Sequence, residues 1–272
     1  MNDQIDKILY DALEEDIPTI DITTDNLFTD ESCEAVLIAK ENGVISGVKI
    51  LQRLYQILDD DIYIKVINHD STYVEEGDII AIISGNLRTV IKGRRIALNF
   101  IQRMSAIASK TKKCVDLLDH SYTKITDSRN TTPTFRYVER LAVVDGGAIN
   151  HRGDLSSQVL LEKTHSRAYG SIKNAISHIV PKIDHSIKVE IEVNTFEEFL
   201  EAIHTECDII MLRNMSDEII RKCVNHNTEK LLEVNVAKIS QVKPIANTGI
   251  DFISVDELTH SYTLMNIELN IN

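Results

Sequence analysis

The sequence predicts an α/β chain built in two manners: a mixed α+β region first, then strand–helix units repeated along the rest. Three observations carry this. The first hundred residues alternate helix-period stripes with β-branched runs at irregular spacing. Beyond residue 120, short apolar runs recur with helical stretches between them, the pattern of βα units around a parallel sheet, open or closed as a barrel. Finally, 43 % apolar and 26 % charged residues in a 272-residue chain describe a globular protein rather than a disordered one, long enough for one large or two smaller cores.

Residues 3–14 place Ile5, Ile8, Leu9 and Leu13 on one helical face behind Asp3, a suitable N-cap. Glu34–Lys40 and Val44–Ile45 read as strands around an Asn42-Gly43 turn, a favoured hairpin pair. Val48–Leu58 carries a helical stripe of Ile50, Leu51, Leu54, Tyr55 and Leu58. Ile62–Ile67 and Ile79–Ile83 are β-branched strand candidates, the second entered through the turn Glu75-Glu76-Gly77-Asp78. Leu87 to about Leu118 reads as one long helix with Gly93 as its weak point. Strands are then expected at Thr123–Asp127, Gln158–Leu161, Lys188–Val193, Asp208–Leu212, Leu231–Val234 and Phe252–Ser254. Helices are expected at Ser171–Val180, Phe196–His204, Asp217–Val224 and Gln241–Asn247. No low-complexity linker separates the two regions, so the boundary is placed in the long helix near Ser105–Lys113.

Composition narrows the function. Lys+Arg 29 against Asp+Glu 42 gives −13, which disfavours nonspecific binding to nucleic acid or to anionic membranes. An acidic protein that handles anions must gather its few cations in one place. Cys33, Cys114, Cys207 and Cys223 are scattered, which suits reduced thiols and neither a disulfide framework nor structural zinc. No apolar run approaches the ~20 residues needed to cross a bilayer. The acidic, amphipathic start is no secretory or transit peptide, so the expected location is the cytoplasm.

In βα barrels, sites lie past the carboxyl ends of the strands. Those positions hold Arg129, Glu162 to His165, Glu190 and Glu192, Arg213, Asn235 and Asp256. Glu190 and Glu192 flank Ile191 and so project to one side of a strand covered on both faces. They need a cation, a metal or bound solvent: either a buried ion pair with Arg129 or Arg152, or a carboxylate wall facing a cationic centre or Mg²⁺. Arg129, Arg136, Arg140, His151 and Arg152 concentrate positive charge, with Arg136 and Arg140 better suited to surface pairs on a helix. Asp59-Asp60-Asp61 reads as a solvated turn, and His120, His178, His185, His204 and His226 show no metal spacing.

At Arg95-Ile-Ala-Leu-Asn-Phe-Ile-Gln-Arg-Met-Ser-Ala-Ile-Ala the chain begins to resemble the quinolinate phosphoribosyltransferases. The likeness continues in Ser128-Arg-Asn-Thr-Thr-Pro, Ala142-Val-Val-Asp-Gly-Gly-Ala-Ile-Asn-His-Arg152 and Val189-Glu-Ile-Glu-Val193, and ends in Gly249-Ile-Asp-Phe-Ile-Ser-Val and Leu258-Thr-His-Ser261. The opening Glu15-Asp-Ile-Pro-Thr-Ile-Asp-Ile-Thr-Thr24 also matches, its Pro18 being similar to a molybdenum-transport-associated branch. The resemblance implies an N-terminal α/β sandwich over residues 1–108, joined by residues 262–272, and an α/β barrel over residues 109–261. It implies a homodimer with shared active sites, Mg²⁺, and phosphoribosyl transfer from phosphoribosyl pyrophosphate to quinolinate. Nicotinate mononucleotide, CO₂ and pyrophosphate would be the products. Arg95 from the partner, Arg129, His151 and Arg152 would hold the pyridine dicarboxylate. Glu192, with Glu190, would face the ribose and metal, and His165 would line the site.

The departures lie on the phosphate side. The family carries lysines where this chain has Asn130 and Glu162, and an aspartate where it has Arg213. Its phosphate-binding Ser-Gly-Gly falls on Asn235-Val-Ala, and a later glycine falls on Asp256. Ten glycines in the chain are roughly half of what is typical. Val236 and Ala237 are expected to bring Cβ atoms into the phosphate space. A carboxylate ~4 Å from a phosphate repels it by about 4 kcal/mol at an effective dielectric near 20, on the order of a thousandfold in affinity. The exchanged signs predict a Glu162–Arg213 ion pair across neighbouring strand ends. Two alternatives to the transferase therefore stand: a paralogue that binds a pyridine carboxylate or other small anion without transfer, and an enzyme of changed chemistry.

Overall fold

A computed structural model describes residues 3–119, 121–227 and 229–271, so His120 lies outside the described residues. Its contacts divide the chain into two compact units: 1–112, 131–147 and 261–272 form the first, 113–130 and 148–260 the second. Residues 131–147, which the sequence boundary assigns to the barrel, thus pack with the first unit. No helix among the described residues is long and apolar enough to cross a membrane.

In the first unit, α1 (Asp3–Asp16) and the short α2 (Thr24–Leu27) precede β1 (Ser32–Ala39) and β2 (Gly43–Val44). Then come α3 (Val48–Leu58), β3 (Tyr63–Val66), β4 (Tyr73–Val74), β5 (Ile79–Asn86), the long α4 (Leu87–Asp116) and α5 (Arg136–Asp145). An antiparallel sheet runs β12-β1-β5-β3, in which β12 (Ile267–Ile271) returns from the carboxyl end to pair with β1. The hairpin expected at Asn42-Gly43 is not formed: β2 pairs with β4, while β1 takes β5 and β12. The long β1–β5 ladder overrides the local turn preference.

Gly93 does not interrupt α4, because the glycine lets α3 approach: a Cβ there would sit 2.6 Å from Tyr55 Cε1. Arg103 of α4 binds the buried Glu139 of α5 at 2.6 Å, and its guanidinium lies over the rings of Phe135 and Tyr262. At Gly146 the backbone is closer still, since a Cβ would stand 2.5 Å from the Ala108 carbonyl oxygen. Gly146→Ala should therefore cost about 1–3 kcal/mol by overpacking, seen as a lower midpoint in urea. A variant as stable as the parent would show that the helices yield.

The second unit repeats strand and helix. Its strands are β6 (Lys124–Thr126), β7 (Val159–Leu161), β8 (Val189–Val193), β9 (Ile209–Leu212), β10 (Leu231–Val236) and β11 (Phe252–Val255). Between and after them lie α6 (Lys163–Ala168), α7 (Ile172–Ile179), α8 (Phe196–Ile203), α9 (Asp217–His226), α10 (Val242–Ala246) and α11 (Glu257–His260). Side-chain oxygens of Ser171, Thr195 and Ser216 cap α7, α8 and α9, so each of these turns fixes where its helix begins. The strands are all parallel in the order β6-β11-β10-β9-β8-β7, with a further parallel bridge from Thr126 to Ile149. Among the described residues β6 and β7 do not pair, so the expected barrel is an open one. Phe199 and Ala202 of α8 are buried, as are Ile191, Val193, Ile210 and Leu212 of the strands. Apolar packing thus covers one face of the sheet, and the polar residues collect on the other.

Candidate active site

Register explains how the polar residues meet. Leu160 stands beside Glu190, Glu192 beside Met211, Met211 beside Glu233, and Asn235 beside Ser254. Laterally paired residues share a face of a sheet. At the carboxyl ends of the strands this face opens into a cavity of about 150 Å³ lined by Arg129, Asn130, His151, Arg152, Glu162, Arg213 and Asp256, among others. A cavity of that size suits a ligand built on one six-membered ring.

One wall is a buried ionic cluster. His151 Nε2 lies 3.1 Å from Glu190 Oε2 and 3.5 Å from Glu233 Oε2. Glu190 and Glu233 are both fully enclosed. Burial opposes a charged imidazole, yet the close carboxylates of Glu190 and Glu233 outweigh it and push His151 up to about 10. Burial and then the charge of Glu233 push the Glu190 carboxyl upward, with His151 opposing. His151 is thus an imidazolium at neutral pH. Asp127 accepts the His151 N–H at 2.6 Å, and Gln158 donates to Glu190 at 2.8 Å.

Arg152 is the exceptional residue. It is 9 % exposed, its Nη1 reaches only the Gln158 carbonyl at 3.3 Å, and its Nε has no partner. Among the described residues no carboxylate pairs with it. Burial first, then the charge of Arg129, lowers its pKa. A buried guanidinium lacking a counter-ion, beside a second guanidinium in an open cavity, is a receptor for an anion.

The expected Glu162–Arg213 ion pair is not formed. β8 lies between β7 and β9, so the two strand ends are not neighbours. Arg213 Nη1 instead approaches Glu192 Oε2 at 3.3 Å, and Glu192 Oε1 accepts from Asn194 Nδ2 at 3.3 Å. Neither Glu190 nor Glu192 pairs with Arg129 or Arg152; their cations are His151 and Arg213. Glu162 opens α6, where its N–H donates to His165 Nδ1 at 2.9 Å. His165 is exposed and turned back on its own helix, outside the cavity lining. Asn130 and Asp256 line the cavity, with Asn130 held through its carbonyl by Thr259 Oγ1. Asn235 Nδ2 donates to Ser254 at 3.2 Å and to Asp256 at 3.3 Å, bridging two strand ends with side chains. Val236 does not crowd this space as expected, because it alternates with Asn235 and is buried away from it. Arg95 is exposed on α4, and Arg136 and Arg140 lie on α5, all in the first unit.

Glu233 and Asp127 escape the sequence reading. A lone acid inside Leu231-Leu-Glu-Val234 is the signal for the first, since no carboxylate enters a covered strand without a partner. Asp127 directly follows β6, as Arg213 directly follows β9.

Two domain models describe this architecture. That of the quinolinate phosphoribosyl transferase N-terminal domain matches residues 21–105, and that of the C-terminal domain residues 107–270. The chain belongs to this family. It is 33 % identical to a Bacillus subtilis (strain 168) protein named probable nicotinate-nucleotide pyrophosphorylase, carboxylating, over 98 % of this chain and 93 % of that one. A Synechocystis protein of the same name is 34 % identical over 92 % of this chain and 86 % of its own. The crystal structure of NadC from Streptococcus pyogenes superposes with a TM-score of 0.95 at 32 % identity, covering 99 % of this chain and 96 % of that one. The nicotinate-nucleotide pyrophosphorylase from Francisella tularensis gives 0.95 at 34 % identity, covering 100 % and 97 %.

The Mg²⁺ that the family resemblance implies at Glu192 does not fit the residues present. Both carboxylate oxygens of Glu192 are engaged, one by a guanidinium. A divalent cation ~4 Å from that guanidinium is repelled by about 8 kcal/mol at an effective dielectric near 20. One other group brings ligating atoms within 4.8 Å of each other: His151, Glu190 and Glu233. There His151 Nε2 already lies in ionic contact with both carboxylates, at 3.1 and 3.5 Å.

Proposed function

We propose that the cavity binds a pyridine carboxylate and that the chain serves quinolinate phosphoribosyl transfer, the reaction of its family. The observation that carries this is Arg152, a buried cation with no counter-ion, set beside Arg129 in a cavity the size of one ring. Two carboxylates on adjacent ring carbons would offer one to Arg152 and leave the other for Arg129 or Arg213. In the reaction the pyridine nitrogen takes C1 of the ribose as its bond to pyrophosphate breaks. The cationic ring then stabilises the electron pair left on the ring carbon as CO₂ departs, and that carbon takes a proton from water. We place the protein in the cytoplasm as a homodimer, with Arg95 from a second copy completing the site; kinship and the exposure of Arg95 support this.

The Glu192–Arg213 pair favours a second reading, in which the acceptor binds and no transfer follows. Calorimetric titration of quinolinate, with and without phosphoribosyl pyrophosphate, separates the two when nicotinate mononucleotide is assayed in parallel. The family reading expects donor binding and product above background. Quinolinate binding with neither donor binding nor product leaves a binding protein. Absence of quinolinate binding removes both.

A further inference from the structure

Arg213 follows directly from β9, and its backbone N–H continues the ladder to the Val193 carbonyl at 2.9 Å. The next residue, Asn214, has a left-handed φ of 56°, which turns the chain away at once. The guanidinium is therefore held at both ends, by its strand and by Glu192, whose own side chain is only 10 % exposed. Arg213 itself is 42 % exposed and has one protein acceptor, so most of its five N–H donors remain for a ligand. Three other carboxylates beside the cavity already have protein partners. Asp127 is bound to the His151 backbone, Glu233 faces the imidazolium, and Asp256 is tied to Asn235.

We infer that Arg213 takes the place of a divalent cation in this cavity, so that the chain recognises its anionic ligand through protein guanidinium groups alone, without metal. Arg152 holds the buried anionic group and Arg213 the outer one. The ligand class is a compact ring acid with two anionic groups. This deepens the reading of the cavity as a pyridine-carboxylate site, yet its metal half stands apart from that reading.

The test uses Mn²⁺ and quinolinate as probes on the full chain. Free Mn²⁺ followed by electron paramagnetic resonance should show no site tighter than about 1 mM. Quinolinate affinity should be the same in EDTA and in excess Mg²⁺. Arg213→Gln should weaken quinolinate at least about tenfold, whereas Arg213→Lys, which keeps the charge, should lose less. Arg213→Asp sets a second carboxylate beside Glu192 and should create a Mn²⁺ site that Glu192→Gln abolishes. The inference is overturned if wild-type protein binds Mn²⁺ through Glu192, if EDTA weakens quinolinate, or if Arg213→Gln binds quinolinate like the parent. Failure of quinolinate to bind at all would remove the ligand reading and leave the Mn²⁺ comparison to decide the metal.

Discussion

His151→Ala should cost this protein about 3–5 kcal/mol of folding stability, because it removes the cation from between two buried carboxylates. Glu190 and Glu233 would then face one another with their common partner gone, in a place from which both are already hidden. One oxygen of each already lacks a hydrogen bond, and Glu190 would be left with the Gln158 amide, an uncharged donor. The loss is one of charge balance and not of volume. His151→Ala combined with Glu190→Gln should therefore recover part of it, and a double-mutant cycle in urea measures the coupling. If the single variant is destabilised by no more than an ordinary surface change, the cluster is not ionic.

The same cluster sets a pH dependence. His151 is raised in the folded chain, from 6.5 to about 10. The stability it contributes is thus fully present below about pH 6.5 and is lost as pH rises towards about 10. Glu190, pushed upward by burial, has the same sign, since the folded state holds its proton more firmly than the unfolded one. Denaturation midpoints should fall from neutral to alkaline pH, and histidine NMR should show one ring still protonated well above neutrality. A ring titrating near 6.5 would contradict this.

Much of this architecture is legible in the chain. Val48–Leu58 forms a helix over the span its stripe predicts, and six apolar runs form the six parallel strands. These signals are local, because covered strands need unbroken apolar faces and helices need a stripe. What stays hidden depends on which strand lies beside which. Asn42-Gly43 looks like a hairpin until β5 claims β1. Glu162 and Arg213 look like partners until β8 is found between them, with Glu192 nearer to the guanidinium. Glu233 is one acid in an apolar run, and its meaning appears only when register sets its strand beside β9 and His151 reaches its carboxylate.

Arg152→Met should make the unliganded protein more stable while removing its capacity to bind. The guanidinium is withdrawn from water and repelled by Arg129. It bonds one carbonyl at 3.3 Å, and Glu190, Glu162 and Asp154 offset the cost only through their charge, without an ion pair. A thioether of similar length has no charge to desolvate, so the unliganded chain should gain about 1–4 kcal/mol. Ligand binding reverses the balance, because a carboxylate on Arg152 supplies the missing counter-ion. Its loss should cost about 2–5 kcal/mol of affinity, roughly thirtyfold to several thousandfold for quinolinate. Melting curves without ligand and calorimetry with it read the two effects separately. Opposite signs are the signature of a residue kept for its ligand at the expense of the fold. If the variant melts lower and binds normally, Arg152 is a structural residue and the anion sits elsewhere.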